Sequence, residues 1–164
     1  MNLHRDLLRQ SRTLALIDPR RPQQANLRRS ISAAYYALFH LLTDEASRRM
    51  MRGADRAMHR NTLRRAFSHG EMRTASRAFV SPNPPAWLTV TSVRPSAALR
   101  IVAGAFESLQ EIRHDADYNH GVSFTRSSAL EAVDRAEEAF AAWDAIHGQP
   151  DADLFLIALL VRPR

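Results

Sequence analysis

The sequence predicts an all-α protein, an up-and-down helical bundle. Three observations carry that prediction. Glycine is sparse, 5 of 164 residues. Strand-like alternation of apolar and polar positions is nearly missing. Apolar residues instead recur at steps of three and four, the pattern of a helix face packed on its neighbours.

Each element follows from local punctuation. A first helix is expected from about Leu3 to Ile17, with Leu3, Leu7, Leu14 and Ile17 on one side, broken by Asp18-Pro19-Arg20-Arg21-Pro22. A long second helix is expected from about Gln23 to Met51, with Leu27, Ile31, Tyr35, Leu38 and Leu42 as its apolar face and Gly53 as its stop. A third spans about Asp55 to Ser68, ending near Gly70, and a short fourth about Glu71 to Phe79. No helix runs through Ser81-Pro82-Asn83-Pro84-Pro85, so this stretch and Ala86 to Val90 are expected to be irregular. Pro95 suits the first turn of a fifth helix that reaches about Asn119, with Gly121 as its stop. Ser128 with Glu131 reads as a capping box for a sixth helix ending near His147, its buried side formed by Leu130, Val133, Phe140 and Trp143 or Ile146. The apolar tail, Asp151 to Val161, reads as a final helix, with an edge strand as the alternative. We expect one domain over residues 1–164, its core at about 20–147 and a short C-terminal element at 151–161.

Composition narrows the function classes. With no cysteine there is no disulfide, thiol chemistry or Cys-based zinc site, which fits a cytoplasmic location. No charged-then-apolar leader opens the chain, so no signal peptide is expected. The longest apolar run, Leu154 to Val161, falls far short of the roughly 20 residues of a membrane span. Net charge is +6 and every basic residue apart from histidine is arginine. The charge is uneven: residues 48–77 are rich in arginine, whereas residues 105–145 are mainly acidic. This asymmetry suggests a polyanion-facing side or two complementary surfaces. Arg48, Arg52, Arg56, Arg60 and Arg64 recur every four residues, a candidate stripe for a nucleic-acid backbone and otherwise a solvated face.

The apolar stripe Leu99, Val102, Phe106, Leu109 continues in step to Arg113, Ala116 and His120. A guanidinium on such a stripe needs an anionic partner. Asp117, four residues on, can be that partner, which gives a structural pair. The other reading is a phosphate site, with Arg113 holding the anion and His120 moving protons. In Ala34-Tyr35-Tyr36-Ala37-Leu38-Phe39-His40 the two tyrosines cannot share a face, so a buried Tyr35 turns Tyr36 and His40 to a flank. Glu111-Ile112-Arg113-His114 is a single Glu-x-x-His, and a di-iron bundle needs two, so no metal or cofactor is expected.

Three segments, in order, resemble the HEPN family (higher eukaryotes and prokaryotes nucleotide-binding). Ala34–His40 looks like the family's second-helix signature, Arg113-His114-Asp115-Ala116-Asp117-Tyr118 like the Arg-x-x-Ala-Asp-Tyr element of one bacterial branch, and Ser68-His69-Gly70 like that branch's Ser/His element. The resemblance covers roughly residues 20–147. It implies a HEPN-like helical bundle that forms a homodimer. It also implies a metal-independent endoribonuclease, as in toxin–antitoxin and defence systems, with catalytic Arg113 and His120 at a dimer cleft. There Arg113 would bind the scissile phosphate and His120 act as acid or base. Asp117 would orient Arg113, and Tyr118, Tyr36 and His40 would support the site. An antitoxin or nucleotidyltransferase-like protein is the partner so implied. The rival expectations are a non-catalytic module that binds nucleotide, RNA or a protein, and a helical dimer that serves assembly alone.

Overall fold

The structure is a computed structural model that describes residues 2–161. Among these residues all the regular structure is helical, without strands. The helices are α1 (Leu3–Leu16), α2 (Gln24–Met50), α3 (Ala57–Arg64, entered through a short 3-10 turn at Ala54–Arg56), α4 (His69–Val80), α5 (Ala86–Thr89), α6 (Ala97–Tyr118), α7 (Arg126–Ile146) and α8 (Pro150–Leu160). The central α2 packs against α1, α6 and α7, while α4 lies between α6 and α8.

The core follows the expected stripes. Leu27, Ile31, Tyr35, Leu38 and Leu42 of α2 meet Leu99, Val102, Phe106 and Leu109 of α6, all sealed from solvent. Helix α7 adds Val133, Phe140, Trp143 and Ile146, interleaved with buried Ala129, Ala132, Ala136 and Ala139. Alanines at those positions let α7 approach its neighbours closely without losing helix propensity.

Four local expectations are corrected. The buried face of α1 is Ser11 and Ala15, while Leu3 and Ile17 are exposed. Small residues win that face because α1 runs close to α2, and the Ser30 hydroxyl of α2 donates to the Ser11 carbonyl at 2.7 Å. The capping box of α7 uses Thr125 with Ser128, not Ser128 with Glu131. Each of that pair accepts a bond from the other's backbone N–H, at 3.1 and 2.9 Å, so the helix starts a turn earlier. Ala86–Thr89 forms the single turn α5 directly after the prolines, with Pro85 preset just before it. The third helix stops at Arg64 rather than near Ser68, and α4 starts at His69 rather than Glu71. Ser68 has an extended backbone, which breaks the path between the two helices and makes it the N-cap of α4.

Three helix C-termini are closed by arginine side chains from elsewhere in the fold. Arg28 donates to the carbonyls of Ala116 at 2.8 Å, Asn119 at 3.0 Å and Val122, closing α6. Arg126 reaches the Ala15 carbonyl in the last turn of α1 and the Asp18 and Pro19 carbonyls just after it. Arg60 donates to Met51 at 3.1 Å and Gly53 at 2.7 Å after α2. A cation there satisfies unpaired carbonyls and opposes the negative end of the helix dipole. At the other end of α6, the buried Asp151 of α8 accepts the Ser96 N–H at 2.9 Å.

Candidate functional site

The end of α6 turns the core stripe into a polar cluster against α2 and α4. Arg113 continues the Leu99–Leu109 seam, and its side chain is only 12% exposed. Its Nε lies 2.7 Å from Asp117 Oδ2, a close ion pair whose N–H is not aimed along the contact. Its Nη2 donates to the Tyr36 hydroxyl at 2.7 Å. Asp117 Oδ2 also accepts a long bond, 3.4 Å, from Ser32 of α2. Arg113 Nη1 has no hydrogen bond to the described residues. The guanidinium lies 5.6, 5.2 and 5.4 Å from the ring centres of Tyr35, Tyr36 and Tyr118, within cation–π range of each. Burial acts to lower the Arg113 pKa, but Tyr36 and Asp117 outweigh it and leave it raised.

Histidine completes the cluster. The Tyr35 hydroxyl and His69 Nδ1 share a 2.5 Å hydrogen bond. The His69 ring packs 4.4 Å from Phe39, and its carbonyl accepts from Gln110 Nε2 at 3.0 Å. His40 stacks on Tyr36 at 6.2 Å. Burial, then the charge of Arg113, depresses the His69 pKa; burial, then Arg64, depresses that of His40. Both imidazoles are therefore neutral near pH 7. Burial pushes the Tyr35 hydroxyl well above the usual phenol range, so it stays protonated.

Arg113, Asp117, Tyr118, Tyr36 and His40 thus come together as one group. His120 stands apart, exposed in the turn after α6, with no hydrogen bond or ring contact to the described residues. His69 was legible as a motif but not as a member of this cluster. Its ring meets Tyr35, Tyr36 and Phe39 of α2, a contact across about thirty residues or more that no local pattern signals.

The basic stripe is partly committed to the fold. Arg48, Arg52, Arg60 and Arg64 line one concavity of about 510 Å³. Within it Arg48 and Arg64 both pair with Asp44, whose side chain is 16% exposed. Arg60 caps α2. Arg56 lies 3.5 Å from Asp55. Arg52 has no partner among the described residues.

No helix of the described residues is long and apolar enough to cross a membrane. No family model, curated protein or solved structure matches this chain.

Proposed function

We propose that this chain is a HEPN-like helical module that binds single-stranded RNA at the Arg113 cluster. One observation carries this reading: a guanidinium fixed in place by Asp117 and Tyr36 lies against Tyr118, an aromatic side chain that is 62% exposed. A fixed cation beside an open aromatic face suits a phosphate and the base next to it. The free Nη1 edge of Arg113 supplies donors for the phosphate oxygens, and the exposed Tyr118 ring supplies the stacking platform. The test is fluorescence anisotropy with a labelled single-stranded RNA. Tyr118→Ala should weaken binding by about 1–3 kcal/mol, the usual worth of one stacked base. Binding unaffected by Tyr118→Ala would remove the cluster from the RNA path.

A second reading, metal-independent cleavage of that RNA, draws on the neutral imidazoles of His69, which feels the charge of Arg113, and of His40, stacked on Tyr36. A neutral imidazole can take a proton from a ribose 2′-OH, and the guanidinium can stabilise charge gathered on the phosphate. His120, free of internal partners at the end of the same helix, is the other acid–base candidate in such a reaction. Cleavage that persists in a chelator and falls by about 10²-fold or more in His69→Ala or His120→Ala would establish this reading. Intact RNA after prolonged incubation would leave binding as the function.

A further inference from the structure

A cleft lies at the end of α6 opposite the Arg113 cluster, where Arg100 in its first turns stands roughly 20 Å along the helix axis from Arg113. It is enclosed by the end of α4, the proline segment, α5 and the linker into α6, with a volume of about 460 Å³. That size lies within the range of small-molecule sites. Its floor is apolar, formed by the buried Phe79 and Leu88. Its rim carries Arg94 and Arg100, both exposed.

Neither guanidinium has a hydrogen bond, ion pair or ring contact with the described residues. No acidic residue lines the cleft. The carboxylates on the adjoining helices are engaged elsewhere: Glu107 pairs with Arg77 at 2.6 Å, and Asp151 accepts from Ser96. Two unpaired cations on one small cleft make a local positive potential that an anion relieves. The rim adds the Ser92 hydroxyl, which also lacks a partner among the described residues. Ser92 has φ +58°, a left-handed conformation that costs a residue with a Cβ and is more frequent at ligand-binding loops than elsewhere. The other two hydroxyls are spent locally, Ser81 on the Asn83 carbonyl and Thr89 on that of Ala86.

We propose that this cleft binds a small phosphomonoester with an apolar body. A phosphomonoester carries close to two negative charges at neutral pH, matching two guanidiniums, whereas a carboxylate carries one. The ester substituent, if apolar, covers Phe79 and Leu88. The proposal stands apart from RNA binding at Arg113.

The probe is phenyl phosphate, titrated into the full chain by calorimetry and followed in parallel by tryptophan emission. Trp87 reports on the floor because its ring lies 6.0 Å from that of Phe79. Phenyl phosphate should bind saturably at one site. Arg94→Gln and Arg100→Gln, both at exposed positions that the fold tolerates, should each weaken it about tenfold or more. Inorganic phosphate, without the apolar body, and benzoate, with one charge, should each bind at least about tenfold more weakly. Arg113→Lys should leave the affinity unchanged. The proposal is overturned by absence of saturable binding up to about 10 mM phenyl phosphate. It is equally overturned by affinity that survives both arginine substitutions, by inorganic phosphate or benzoate binding as tightly, or by loss of binding in Arg113→Lys.

Discussion

The Arg113 cluster and the 48–64 stripe use the same side chain for different ends. In the cluster one guanidinium is nearly buried, held by one carboxylate and one hydroxyl among three tyrosine rings. In the stripe the arginines are mostly open to solvent, yet two share Asp44 and a third closes the end of α2. The dense region is thus partly consumed by the fold, while the single arginine on an apolar seam keeps a free Nη1 edge beside the exposed Tyr118 ring, where we propose RNA binds. The number of arginines in a segment therefore says little about the charge it offers a ligand. What decides is how many carbonyls and carboxylates lie within reach of each one.

The contrast is most sharply tested by removing the guanidinium that sits deepest. Arg113→Ala leaves Asp117 and Tyr36 half-buried without their partner, and should cost roughly 2–4 kcal/mol in urea unfolding. A cost under about 0.5 kcal/mol would mean the cluster contributes nothing to the bundle. In the stripe, Arg60→Ala should cost about 1 kcal/mol through loss of the α2 cap, while Arg52→Ala should be neutral within about 0.5 kcal/mol. Equal effects of those two substitutions would show that the Arg60 contacts to Met51 and Gly53 carry no stability.

Acid should act through the cluster more than through the stripe. His69 and His40 have depressed pKa values in the folded chain, so below about pH 6.5 the unfolded chain binds more protons than the folded one. Their contribution to stability is complete above that pH and is lost as pH falls from there through the folded values. Unfolding free energy measured from pH 7.5 to 5.5 should therefore decline, and His69→Gln should flatten the decline. An unchanged slope in His69→Gln would place the proton uptake elsewhere, with His40 or the similarly depressed His4.

Much of the bundle was legible in the sequence because helix faces there are written in large apolar residues. The α2 and α6 stripes read correctly for that reason. The α1 face did not, because close packing favours Ser11 and Ala15 over leucine, and a small buried residue looks like a surface one in a linear pattern. Arg113 was legible as a cation in an apolar seam. The role of Arg28, Arg60 and Arg126 as caps was not, since each closes a helix other than its own, Arg28 and Arg126 across about 90 residues or more, and no local motif encodes such a pairing. The two unpaired arginines at the proline cleft were hidden for the same reason, because the lack of a partner is visible only once the possible partners are placed.

The most direct measurement compares the two arginine regions on one RNA. Binding of a labelled single-stranded RNA is followed across a salt series for the parent chain, Arg113→Lys, and the double substitution of Arg52→Ala with Arg56→Ala. Lysine keeps the charge at position 113 but loses the planar fork and its stacking on tyrosine, so affinity should fall about tenfold or more at every salt concentration, with little change in salt slope. The double substitution should flatten the slope by no more than about two counterions and cost less at high salt than at low salt. Full affinity in Arg113→Lys, with loss confined to the stripe substitutions, would contradict the account and make the stripe the RNA surface.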